Sequence, residues 1–232
     1  VQDPSVTVLF KLDDDGTASE ELWIAAWTTT PWTLPSNLAL CVGDDIDYVK
    51  VRDADLNKNI ILAKERLEHV GKGKQLEVLD EFKGASLVGK RYTPILPYFA
   101  ELKSEGAFTI LSDDYVSTES GTGVVHQAPA FGEDDFRILK KANIKAMVCP
   151  VDMSGQFTDE VPDFAGIHVK DADKLIIRRL KEDGSLYSQE VINHIYPFCP
   201  RSDTPIIYRT IDSWYVSVEQ MREDLAKANS EI

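Results

Sequence analysis

An apolar run, Leu22-Trp23-Ile24-Ala25-Ala26, passes directly into Trp27-Thr28-Thr29-Thr30-Pro31-Trp32-Thr33-Leu34-Pro35-Ser36-Asn37. Pro31 and Pro35 each lack an amide donor and fix their own φ, so the run cannot continue as a regular ladder or helix. A strand must therefore break into a loop here, and the threonines fall on that break. The loop offers hydroxyls, two indoles and the Asn37 carboxamide, but no strong nucleophile and no metal ligand. Such groups suit a site that binds a sugar hydroxyl or a water. The same residues would also serve as a plain β-edge and turn.

A second segment has the same character. Gly121-Thr122-Gly123-Val124-Val125-His126-Gln127-Ala128-Pro129-Ala130-Phe131-Gly132 is again a strand running into a Pro/Gly loop. It ends at Glu133-Asp134-Asp135-Phe136, an acidic start to a helical pattern.

At 232 residues, with 43% hydrophobic and 28% charged content, the chain can bury a full core as one large or two small domains. No apolar stretch approaches the roughly 18 residues that span a bilayer, and no secretory leader is legible. Val1 in place of Met suggests an excised fragment. Cys41, Cys149 and Cys199 form no Cys-x-x-Cys pair, and His69, His126, His168 and His194 show no ligand spacing with them. Buried free thiols in a reducing, cytoplasmic compartment follow, with no metal and no cofactor expected.

Strand-like runs recur at 6–10, 22–27, 48–52, 60–63, 76–82, 108–111, 123–126, 145–148, 188–194, 205–209 and 214–218. Helical patterns cover 64–70, 133–142, 172–183 and 219–229, with Leu175, Ile176, Ile177 and Leu180 clustered in the third and Gly184 as its stop. Strands outnumber helices without regular alternation. That predicts a β-rich α+β fold, a closed β-barrel core with peripheral helices, rather than a doubly wound sheet. The acidic turn at 13–16 reads as a solvated hairpin loop.

The two motif segments together resemble the editing domain of the class I aminoacyl-tRNA synthetases for Ile, Val and Leu. They are most similar to the isoleucyl form, in its eukaryotic cytosolic phrasing. Valyl and leucyl relatives typically carry Arg-Pro-Glu or Arg-Pro-Asp where this chain has Thr30-Pro31-Trp32, and they lack His at 126. Cys149-Pro150-Val151-Asp152, Asp163-Phe164-Ala165-Gly166, Val169-Lys170-Asp171-Ala172-Asp173, Tyr196-Pro197-Phe198-Cys199 and Arg201-Ser202-Asp203-Thr204-Pro205 extend the likeness over nearly the whole chain. Ser202 departs from the second cysteine that many relatives place after the arginine.

The resemblance implies the barrel architecture, with 1–212 as the editing domain including its stem strands and 213–232 as a return segment and helix toward a catalytic domain. It also implies hydrolysis of mischarged valyl-tRNA(Ile) by water, with isoleucine excluded by size. The nucleotide-binding signatures of the ligase site are absent, so no ATP chemistry is expected of these residues.

Within that reading Asp135, the acid immediately before the aromatic, anchors the substrate's α-ammonium, whereas Asp134 serves the helix start. Thr30 and Thr33 hold the ribose hydroxyl or the attacking water, orienting rather than abstracting a proton. Thr28 and Thr29 meet the terminal adenosine and the carbonyl, and Asn37 bonds the base, the ribose or its own loop. His126 limits side-chain size, with Trp32 a second candidate wall and Ala128 in the binding set. The amides of Gly121 and Gly123 are candidate oxyanion donors.

The net charge of −14 opposes a surface that grips nucleic acid through phosphates. The expected partner is therefore only the 3′ end of tRNA(Ile), the rest of the synthetase holding the body, and the isolated domain is expected to bind tRNA weakly as a monomer. Two rival readings remain open: a module that holds aminoacylated ends without hydrolysing them, and an acidic interaction module of a multi-synthetase assembly.

Overall fold

A computed structural model of the chain describes residues 1–14 and 20–231. The expected turn at 13–16 thus lies partly outside the described residues. In chain order the elements are β1 (Gln2–Lys11), β2 (Leu22–Thr28), β3 (Ala39–Val42), β4 (Asp47–Asp53), β5 (Lys58–Ala63), α1 (Leu67–Val70), β6 (Leu76–Lys83), β7 (Thr109–Ser112), β8 (Val125–Gln127), α2 (Glu133–Lys141), α3 (Val169–Glu182), β9 (Leu186–Asn193) and α4 (Arg222–Ser230).

Six strands form one mixed sheet in the order β6-β4-β5-β2-β1-β9, and β7-β3-β8 form a second. Within the large sheet only β2 and β5 run parallel, with Trp23 opposite Ile60. The centre of this sheet is buried on both faces. Val6, Val8, Phe10, Ile24, Ala26, Ile61 and Ala63 join the main core, while Leu9, Ala25, Ile60 and Leu62 pack on the other side with Val49, Val51 and Tyr187. That double burial is why the central strands read as continuous apolar runs rather than as alternating ones. Helix α3 covers the main core through Val169, Ala172, Ile176, Ile177 and Leu180, and Leu175 lies at its margin. Gly184 at φ +71 ends it, with Ser185 N–H donating to the Leu180 carbonyl at 2.9 Å.

The β-rich α+β class stands, but the barrel is not closed. The strands at the two ends of the large sheet, β6 and β9, pair with no further strand among the described residues; the irregular segment 89–93 links the end of β1 to β7 through the bridges Leu12–Tyr92 and Arg91–Thr109 and neighbouring backbone hydrogen bonds. The cause lies at the proline-marked break. After Thr28 the chain leaves the large sheet through the 3-10 helix Pro31–Ser36 and starts the second sheet at Ala39.

Three expected strands do not form. At 145–148 the side chains alternate, Ala146 and Val148 in and Met147 out, yet the segment pairs with no strand among the described residues. At 205–209 only Pro205 bridges, to Phe198, and 214–218 carries fully exposed Trp214 with no ladder. β3 was hidden because all four of its residues are buried and show no period-2 pattern. The helical pattern at 64–70 forms as a 3-10 turn, Lys64–Arg66, and then the short α1.

Candidate functional site

The break after β2 sets the site. Thr30 takes φ −126 and ψ 72 before Pro31, and the 3-10 helix that follows is buried along its whole length. Its first amide is capped from across the core: Trp32 N–H donates to Asp173 Oδ1 of α3 at 2.9 Å. Burial raises the Asp173 carboxyl to about 7, so the cap is made by a group held out of water. The Trp32 ring meets Phe131 edge-on at 5.0 Å between centroids.

The hydroxyls form one connected chain. Thr28 Oγ1 accepts from Thr30 N–H at 3.1 Å and lies 3.2 Å from Thr30 Oγ1, which is 3.3 Å from Thr33 Oγ1. Thr33 Oγ1 donates to the Thr30 carbonyl at 2.8 Å and sits 3.0 Å from His126 Nε2. A hydroxyl has one proton. Since Thr33 gives its proton to the carbonyl, His126 donates through Nε2, and its Nδ1 is left buried without a partner. Burial lowers the imidazole pKa to about 4, so the ring is neutral at physiological pH. A neutral ring can wall a pocket without repelling an ammonium.

Asp135 lies in the first turn of α2, and its Oδ2 accepts from Ala128 N–H at 2.7 Å. Gly132 makes room for this carboxylate: a Cβ there would stand 2.8 Å from Asp135 Cγ. Burial raises the Asp135 carboxyl to about 6, against the opposing pull of the Ala128 hydrogen bond. Asp134 instead pairs with Arg137 at 3.1 Å on the exposed side.

The segment before β8 closes the site from below. Thr122 Oγ1 donates to the Ala25 carbonyl at 2.7 Å, and Tyr48 OH donates to the Gly123 carbonyl at 2.5 Å. Gly123 takes φ +73, and a Cβ on it would stand 2.4 Å from Ala63 Cβ. Left-handed strain and the clash together are expected to make Gly123→Ala destabilising by about 2–4 kcal/mol. Urea unfolding should show this as a lower midpoint at unchanged slope, and an unaltered midpoint would refute it. Loss of activity in that variant would not isolate a contribution from the glycine amide.

These groups surround one cavity of ≈ 380 Å³. Of the residues singled out by sequence, Thr28, Thr29, Thr30, Thr33, Gly123, His126, Ala128 and Asp135 line it, as does Gly121. Trp32 and Asn37 do not. Trp32 is buried behind Phe131, and the Asn37 amide is committed to the fold, donating to the Ala39 carbonyl at 2.9 Å and accepting from Tyr92 OH at 2.6 Å. Asn37 thus bonds its own loop and ties it to the core, one of the three partners the sequence left open for it. Sequence reasoning missed Trp27, Tyr115, Ser117, Ser120 and Phe131, which also line the cavity. Trp27 opens the threonine motif and Phe131 lies in the second segment, but neither carried a role in the sequence reading, and the 115–120 loop carries no motif. No group of three or more His, Cys, Asp or Glu that could hold a metal occurs among the described residues.

The architecture belongs to a known class. The editing domain of the P. knowlesi cytosolic leucyl-tRNA synthetase superposes with a TM-score of 0.63 at 12% identity, over 82% of this chain and 96% of that one. The P. falciparum counterpart gives 0.63 at 9% identity, over 82% and 99%. The fold is therefore that of a synthetase editing domain. No family model matches the chain.

Sequence narrows the class. The chain is 54% identical to isoleucine–tRNA ligase of Bdellovibrio bacteriovorus over 233 residues, 100% of this chain and 22% of that protein. It is equally 54% identical to the cytoplasmic isoleucine–tRNA ligase of Mus musculus, over 99% of this chain and 18% of that protein. The chain corresponds to a segment of isoleucine–tRNA ligase with the editing-domain fold, and spans about a fifth of the length of the curated relatives it matches. The equal identities do not separate a eukaryotic cytosolic form from a bacterial one.

Proposed function

We propose that this domain hydrolyses valyl-tRNA(Ile), the mischarged product of an isoleucine–tRNA ligase. The observation that carries the reading is the pairing of one half-buried carboxylate, Asp135, with a connected threonine chain and a neutral imidazole around a single cavity. An aminoacyl ester is an activated acyl group with an ammonium beside it and a vicinal hydroxyl on the ribose. Its hydrolysis needs a positioned water more than a covalent nucleophile. In this reading Asp135 fixes the ammonium, Thr30 and Thr33 orient the water or the ribose hydroxyl, and Thr28 and Thr29 flank the adenosine. The amides of Gly121 and Gly123, which bound the same cavity, face the developing oxyanion.

His126 supplies the size limit. The synthetic pocket of isoleucyl enzymes as a class is known to favour isoleucine over valine by only about 150-fold, so a second sieve that rejects the longer side chain is needed. Residues 1–212 form the editing body, and 213–232 lead toward the remainder of the ligase; α4 buries none of its own residues. A cytoplasmic setting agrees with the mouse relative's name.

The test is hydrolysis of valyl-tRNA(Ile) against isoleucyl-tRNA(Ile) by the ligase that carries this segment. Rapid loss of valine alone is expected. The pH profile carries the sign of the Asp135 shift: below about 6 the carboxyl gains a proton, no longer holds the ammonium, and the enzyme-dependent rate falls about tenfold per unit. Equal slow loss of both amino acids would favour a module that binds aminoacylated ends without cleaving them.

A further inference from the structure

The candidate site has no cation among the residues that line it, yet its proposed substrate carries phosphates up to the last nucleotide. On a domain of net charge −14 those phosphates need a local exception. A second cavity of ≈ 530 Å³ supplies one. It shares Trp27, Ser120 and Gly121 with the first, so the two are neighbours across one ridge. Arg66, His69, Lys72 and Lys74 line it, against the carboxylates of Glu119 and Glu190.

The cations are held by local structure. Arg66 donates through Nε to the Gly121 carbonyl at 2.9 Å and through Nη1 to the Glu119 carbonyl at 3.3 Å, which fixes the guanidinium on the ridge and leaves its other amino group uncommitted by these bonds. Lys74 Nζ lies 3.9 Å over the Tyr187 ring. Gly71 and the turn after α1 then bring Lys72 to the same rim, exposed to solvent.

We infer that this cleft of Arg66, Lys72 and Lys74 receives the phosphodiester backbone of the nucleotides preceding the terminal adenosine, while the adenosine and its ester cross the Trp27–Gly121 ridge into the first cavity. The cleft is an electrostatic subsite for single-stranded RNA and reads no base. The inference rests on the editing reading, because it assigns the substrate by that chemistry.

The experiment uses the intact ligase with Lys72→Gln/Lys74→Gln. For valyl-tRNA(Ile) hydrolysis, KM is expected to rise about tenfold, and the dependence of log(kcat/KM) on log[salt] to flatten by about 1, the change for one to two phosphate contacts on a single strand. Active wild type with neither parameter altered in the variant overturns the cleft and leaves the editing reading intact. Inactive wild type defeats the editing reading by itself, and a second measurement then judges the cleft. A benzophenone amino acid at position 72 should crosslink bound tRNA(Ile) within its last four nucleotides; crosslinks only elsewhere overturn the assignment.

Discussion

Asp135→Ala is expected to lower kcat/KM for valyl-tRNA(Ile) hydrolysis by about thirty- to a thousand-fold while the domain stays folded. The side chain is the single carboxylate in the cavity lining, and it is already partly desolvated before substrate arrives. Pairing with an ammonium relieves that desolvation, so truncation removes a buried charge pair worth about 2–4 kcal/mol. Burial has the opposite effect on stability. The native carboxyl binds its proton more tightly than the unfolded one, from 3.8 to about 6, so ionisation on raising the pH through that window costs folding energy. Alanine removes this cost, and thermal unfolding at pH 8 should show no loss of stability from the charge itself. A marked fall in melting temperature would mean that the Ala128–Asp135 bond holds the fold, and that lost hydrolysis says nothing about substrate.

His126→Ala should change which ester is cleaved rather than whether one is. The ring is neutral, buried to 7% exposure, and fixed by its bond to Thr33. Removing it opens room for the extra methylene, so hydrolysis of isoleucyl-tRNA(Ile) should rise by about 10–200-fold, the range one methylene controls. Valine hydrolysis should fall only several-fold, through loosening of Thr33. If the imidazole acted instead as a general base, both esters would lose rate together and isoleucine would gain nothing. Kinetics on the two esters separate these outcomes.

Much of this arrangement was legible in the chain because proline and glycine mark it. Pro31 and Pro35 forced the break that carries the threonines, and Gly121 and Gly123 marked the turn that precedes β8. The acidic triplet at the start of α2 did not by itself single out Asp135; the family resemblance did, through the acid before Phe136, and the Asp135 carboxylate accepts from Ala128 N–H. The misses have physical causes as well. Closure of a barrel is a long-range property that strand patterns cannot report, and here the edges β6 and β9 remain apart among the described residues. The partner of Asn37 stayed open between base, ribose and its own loop, because a polar side chain in a polar loop gives no sign that Tyr92, 55 residues away, will bond it. Asp173 stood out only within a family-like stretch, and its cap on the threonine loop spans 141 residues. Exposed Trp214, Tyr215 and Ile211 kept a strand-like composition with no neighbour to pair with.

The most direct test of the account is a cycle of two enzymes and two esters. Single-turnover hydrolysis is measured for wild-type ligase and Asp135→Ala, on valyl-tRNA(Ile) and on its 2-hydroxyisovaleryl counterpart, each rate divided by the spontaneous rate of the same ester. The wild type is expected to prefer the ammonium ester by about 10²-fold, and the variant to show no preference. The same preference in both enzymes would contradict the assignment of Asp135, and with it the claim that this cavity edits by anchoring an ammonium and positioning a water.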